Sequence, residues 1–193
     1  MTFLNCSYDS EAEQVEQMFE RQTRAFGYLP NYVLPFVHRP ELMSHWIDLQ
    51  KGIRKNMDDH LYELVTFAAA VELGSSYCAL AHGRHLLSYY SSRNISDLAE
   101  GNYQGIVSEA EEAAMRYARK VAGTASAITP EDVNQLLANG FSDAEVFDIA
   151  ATAAARAFFA KLVDGVGTQP DKQFANLDPD MLVSLQVGRR IER

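Results

Sequence analysis

The chain has 193 residues, 47% of them hydrophobic and 22% charged, a make-up that fits one soluble globular domain with a sizeable core. Its formal net charge of −9 excludes sequence-independent binding to nucleic acid or to an anionic membrane surface, because phosphate contacts need a basic face. The one basic cluster, Arg189, Arg190 and Arg193, is too short to change that. The amino terminus lacks the basic start and apolar core of a signal peptide, and the most apolar stretch, 146–163, is broken by Asp148, Arg156 and Lys161. Two cysteines far apart in sequence do not make a disulfide framework, so the expectation is a cytoplasmic protein with reduced thiols.

In chain order, Ser10 to Phe26 reads as an amphipathic helix with Val15, Met18, Phe19 and Phe26 facing inward, ended by Gly27. Pro30 opens a short segment holding Val33, Leu34, Phe36 and Val37. Pro40 suits the first turn of a helix through Met43, Trp46 and Ile53. Asn56 to Asp59 starts the next helix, in which Leu64, Val65, Phe67 and Ala68 to Val71 form a buried run.

Gly74 splits that run from a second helix, which Ser75 and Ser76 can start and which Tyr77 to Tyr90 can carry. A short helical piece follows around Ile95 to Ala99. Ser108 with Glu111 is a capping-box pattern, predicting a helix to Val121 that ends at Gly123. Thr129-Pro130 starts another, stopped at Asn139-Gly140. Ser142 with Glu145 makes a second capping box, launching a long Ala-rich helix to about Val163. Asp178-Pro179 begins a last short helix with Met181, Leu182 and Leu185. No strand pattern of useful length occurs, so the expected fold is all-α over 1–193. The helix over 146–163 is small and apolar around most of its circumference, which suits a bundle centre or a subunit contact and points to a homo-oligomer.

The chemistry-bearing stretch is 63–85, with one of the two cysteines, two of the five histidines and a carboxylate in an apolar run. Cys78 falls in the first turn of its helix, where free backbone N–H groups and the dipole favour a thiolate. His82, four residues on, projects from the same face and can serve as the base that takes the thiol proton. Cys78 also reads as a buried small apolar residue, and Glu63 as a solvated carboxylate near a helix start. Ser75 reads first as a helix cap, and Tyr77 as a pocket wall or a core residue. Cys78, His82, His85 and Glu63 offer ligand atoms for zinc, but no full metal-binding spacing is present and no metal or cofactor is expected. His38, His45 and His60 receive no role.

The order Glu63, eleven residues, Ser75, two residues, Cys78, three residues, His82 resembles the signature of the alkylhydroperoxidase-D-like and carboxymuconolactone decarboxylase superfamily. Gly27-Tyr28-Leu29-Pro30-Asn31, then His38-Arg39-Pro40-Glu41-Leu42, is similar to the start of its peroxidase-related branch. Residues 129–163 with Gly167-Thr168-Gln169-Pro170-Asp171 are similar to its carboxy-terminal part, so the resemblance spans about 24–171. It implies a helical bundle and an antioxidant oxidoreductase that reduces hydroperoxides or disulfides through a Cys-x-x-Cys pair. Catalytic roles are implied for Cys78, His82 and Glu63, with Glu63 joining the proton relay.

One departure falls on the chemistry: Ser75 stands where that signature has its first cysteine, and serine cannot form the disulfide. The expected activity is therefore one-cysteine chemistry, with an external thiol or dithiol as reductant and Cys6 as the only other thiol. The alternatives are a cofactor-free lactone decarboxylase, with Arg84 or Arg156 as the cation for an anionic substrate, and a non-catalytic oligomeric small-ligand binder.

Overall fold

The computed structural model describes residues 2–8 and 12–192. It holds nine α-helices among those residues, joined by short turns and 3-10 segments, and no strand. They are α1 (Glu13–Phe26), α2 (Pro40–Arg54), α3 (Asp59–Glu72), α4 (Ser76–Leu86), α5 (Ser92–Glu100), α6 (Glu109–Thr124), α7 (Pro130–Ala138), α8 (Asp143–Gly165) and α9 (Pro179–Leu185). The all-α expectation holds. No helix among the described residues is long and apolar enough to cross a membrane.

The local signals explain most boundaries. Asp58 caps α3 by accepting from the N–H groups of His60 and Leu61. Reciprocal capping boxes start α6 at Ser108/Glu111 and α8 at Ser142/Glu145, while at α7 the Asp132 carboxylate accepts from the Thr129 N–H and hydroxyl. Ser10, where the sequence reading begins the first helix, lies outside the described residues, as does Arg193 of the basic cluster. Three expectations need correction. Phe26 is not inward but exposed, since it closes α1 beside the Tyr32 ring. Gly123 does not end α6, which runs on to Thr124. The cysteine helix stops at Leu86 rather than Tyr90, because Leu87 to Tyr90 turn back on carbonyls of the last helical turn.

The centre of the molecule is α3, whose residues from Tyr62 to Ala70 are all buried against α4, α6 and α8. The turn into α4 needs Gly74 in the left-handed region (φ 67°), which a side chain would strain. Against this turn lies the carboxy-terminal segment. The Gly188 N–H donates to Ser76 Oγ at 2.8 Å, and a Cβ on Gly188 would sit 2.3 Å from the Gly74 carbonyl oxygen. Only a residue without a side chain allows the backbones so close. Helix α9 packs onto α4 in the same way, across Gly83.

Candidate active site

Folding α4 back on α3 brings the start of α3 beside the middle of α4. Glu63 Oε2 and His82 Nδ1 lie 2.6 Å apart, both largely buried. Burial pushes the Glu63 carboxyl up, but the His82 ring, its hydrogen bond and the nearby His85 and Arg54 outweigh it and bring the group down to about 2. Burial, aided by the Arg156 cation, lowers His82 to about 4 against the pull of Glu63. At neutral pH the pair is therefore a carboxylate accepting from the Nδ1–H of a neutral imidazole. That tautomer leaves Nε2 as an acceptor, the form a general base requires. Glu63 thus meets His82 directly.

Cys78 is the third residue of α4 and is 2% exposed. The side chain that reaches its sulfur is Arg156 from α8, whose Nη1 donates to Sγ across 3.7 Å. A guanidinium N–H aimed at sulfur stabilises negative charge there. Cys78, His82 and Glu63 line one cavity of about 260 Å³ with Arg156, His85 and Tyr77. Its walls are aromatic. Trp46 stacks on Phe159 (centroids 4.7 Å apart, planes 13° apart), and Tyr32 meets Phe159 edge-on at 5.4 Å. Arg54 and Tyr62 line the cavity as well, the guanidinium 4.5 Å from the ring centroid.

Tyr77 walls this cavity and is anchored behind it. Its hydroxyl donates to Asp171 Oδ2 at 2.6 Å and accepts from the Tyr32 N–H at 3.4 Å. The same carboxylate takes the Tyr28 hydroxyl (2.9 Å) and the Asn31 N–H (2.7 Å). Burial and the Asp171 charge push the Tyr77 hydroxyl far above the phenol range and Tyr28 to about 12, so both stay protonated donors.

Ser75 differs from its expected role as a cap. It holds the N-cap position of α4, but its hydroxyl makes no capping bond, is fully buried and does not line the cavity. It faces instead the Asp164 carboxyl, which burial raises and the Ser75 hydroxyl and Arg189 lower. Cys6 is not among the cavity residues, and both thiols are free. Arg84, weighed as a substrate cation, lies over the Phe174 ring. Among the described residues no three His, Cys, Asp or Glu side chains come together in a metal-holding arrangement.

The sequence reading missed Arg156 as the neighbour of the sulfur, and it missed Asp171 and the Trp46–Phe159 wall. A usable signal existed for Arg156: one charge inside the apolar run Ala153–Ala160, the same isolation that singled out Glu63.

No family model and no curated protein matches the chain. Solved structures do. An alkylhydroperoxidase AhpD core, the uncharacterized peroxidase-related protein from Ralstonia eutropha JMP134, superposes with a TM-score of 0.79 at 20% identity, covering 90% of this chain and 94% of that one. A peroxidase-related protein from Silicibacter sp. TM1040 gives 0.74 at 16% identity over 91% and 94%. The debrominase Bmp8, in complex with 2,3,4-tribromopyrrole as a cysteine-to-alanine variant, gives 0.71 at 20% identity over 94% and 95%. The fold is therefore the alkylhydroperoxidase-D-like one that the sequence resemblance implied.

Proposed function

We propose that this chain, with its alkylhydroperoxidase-D-like fold, is a peroxidase-related oxidoreductase in which Cys78 is the one redox-active sulfur. The observation that carries the reading is Cys78 Sγ set against Arg156 Nη1 in an aromatic-walled cavity that also holds the Glu63–His82 pair. His82 Nε2 takes the thiol proton, directly or through a water, and Arg156 holds the thiolate. The sulfur attacks the outer oxygen of a small hydroperoxide: an S–O bond forms, the O–O bond breaks, and the leaving alkoxide takes the proton from His82. Sulfur is oxidised to sulfenic acid and the peroxide reduced to an alcohol. An external thiol then condenses with the sulfenic acid, releasing water, and a second thiol frees Cys78 while the reductant leaves as its disulfide. Such a cycle belongs in a thiol-reducing compartment such as the cytoplasm. The exposed apolar face of α8 is where a second copy would dock in the homo-oligomer.

The test uses Cys6→Ser protein, so that Cys78 is the only thiol. Hydroperoxide exposure should add one oxygen at Cys78, trappable as sulfenic acid by mass analysis, and Cys78→Ala should lower peroxide consumption roughly 10²-fold or more. Ser75→Cys, across one helical turn from Cys78, should let a disulfide replace the external thiol in the first recovery step. An inert thiol would leave a small-ligand binder, and turnover that survives Cys78→Ala would point to cysteine-independent lyase chemistry.

A further inference from the structure

Buried charges need partners, and the cavity contains one cation that lacks a carboxylate. Arg156 is 4% exposed, and its Nε is buried with no hydrogen-bond partner among the described residues. Its remaining contacts are the Cys78 sulfur at 3.7 Å and the rings of Phe159 and Trp46, whose centroids lie 5.5 and 5.8 Å from the guanidinium carbon. Among the described residues Glu63 is the only acidic side chain in the cavity lining, and it is committed to His82. The second lining cation, Arg54, is already paired with Asp59 at 2.6 Å. The lining thus carries two guanidinium groups against one carboxylate, inside a chain whose net charge is −9. A desolvated guanidinium costs several kcal/mol unless an anion meets it.

The rest of the cavity limits what that anion can be. Its volume of about 260 Å³ equals that of roughly nine waters at about 30 Å³ each. Trp46 and Phe159 lie nearly parallel beside Arg156 and offer flat apolar surface. Opposite polarity is supplied by the Gln50 amide and the Tyr62 hydroxyl, 3.3 Å apart.

We infer that the cavity binds a compact planar monoanion, an aromatic or conjugated carboxylate, with its acidic group on the Arg156 guanidinium and its ring against the Trp46–Phe159 wall. The inference rests on this cavity being where Cys78 works, but not on what the sulfur does. A carboxylate in the cavity beside the Arg156 guanidinium would supply the missing counter-charge and leave Nη1 to the sulfur. It would also place the bound molecule within the cavity that holds Cys78.

The chain provides its own reporter, because Trp46 is the only tryptophan and forms the cavity wall. The probe is benzoate, with benzamide as its neutral isostere. Benzoate should change Trp46 emission saturably and bind at least ~10-fold more tightly than benzamide, the factor expected for one charge-assisted hydrogen bond in a dry site. It should also protect wild-type Cys78 from alkylation by iodoacetamide where benzamide does not. Arg156→Met should abolish the preference, and Arg156→Lys should keep part of it if the Met variant folds poorly. Cys78→Ala should retain it.

Equal binding of benzoate and benzamide would overturn the proposal, as would benzoate binding by Cys78→Ala alone, which would assign the guanidinium to the sulfur. The two readings fail separately. A benzoate-selective protein with a peroxide-inert thiol sinks the oxidoreductase alone; an oxidisable Cys78 without anion selectivity sinks this inference alone.

Discussion

Glu63 sits inside the most buried helix of the molecule because His82 meets it there, and the pair makes the fold sensitive to acid. The unfolded chain protonates its histidine near the ordinary 6.5, whereas burial and Arg156 hold His82 at about 4 in the fold. Between those values the unfolded state binds more protons, so stability falls as pH falls through that window. Glu63 adds a loss of the same sign lower down, from its ordinary 4.5 to about 2, where burial is outweighed by the His82 interaction. His82→Gln, which keeps an amide donor for the carboxylate but no titrating ring, should therefore flatten the melting temperature between about pH 6.5 and 4 and shrink the decline below it. The difference is on the order of 2 kcal/mol, and thermal melts of both proteins across pH 3–8 would show it. Parallel profiles would mean that His82 is not held neutral by the fold.

Between helices, two glycines that look alike in sequence should behave differently. A Cβ at Gly83 of α4 would lie 2.6 Å from Leu185 Cδ1 and 3.3–3.4 Å from Met181 and Phe67, all buried side chains. Gly83→Ala should cost about 1–3 kcal/mol by overpacking and lift α9 from the cysteine helix. At Gly123 of α6 the obstacle is the end of the Glu72 side chain, 40% exposed and held only by a 3.9 Å ion pair to Arg119, so that it can swing aside. Gly123→Ala should be neutral or gain up to ~1 kcal/mol from helix propensity. Chemical denaturation of the two variants separates the cases.

The same contrast explains what could be read from sequence. Capping boxes at Ser108 and Ser142 and the Thr129-Pro130 start are local chemistry within four residues, so helix starts were legible. The Cys78–His82 spacing was legible for the same reason, and Glu63 through the family signature it resembles, with its isolation in an apolar run in support. Arg156 lies 78 residues from Cys78 and Asp171 lies 94 from Tyr77. No periodicity encodes such pairs, since helix packing alone creates them. Phe26 was misread because its helical face points inward in pattern, while the helix end carries it to the surface.

Across the whole molecule, α8 has two apolar sides. One is buried through Ile149, Ala153, Arg156 and Ala160; the other leaves Phe147 71% and Phe158 46% exposed, with Ala154 between them. If the proposed oligomer forms on that face, light scattering should give a multiple of 21.5 kDa, and Phe147→Glu with Phe158→Glu should return it to the monomer. A wild-type monomer at micromolar concentration would remove that part of the proposal.

The long sequence separations also have a consequence for how the protein is made. Helix α4 leaves the ribosome with α3 already made but before α8 and α9 exist, and the Asp171 that anchors Tyr77 follows 94 residues later. At about 5–20 residues per second that is a delay of roughly 5–20 s. The Gly188 contact that seats the first turn of α4 comes later still, 112 residues after Ser76. During synthesis Cys78 is therefore a thiol on a helix that has only its earlier neighbours, without its guanidinium and more open to oxidants. The nascent chain, rather than the finished protein, is the form in which that sulfur is least guarded.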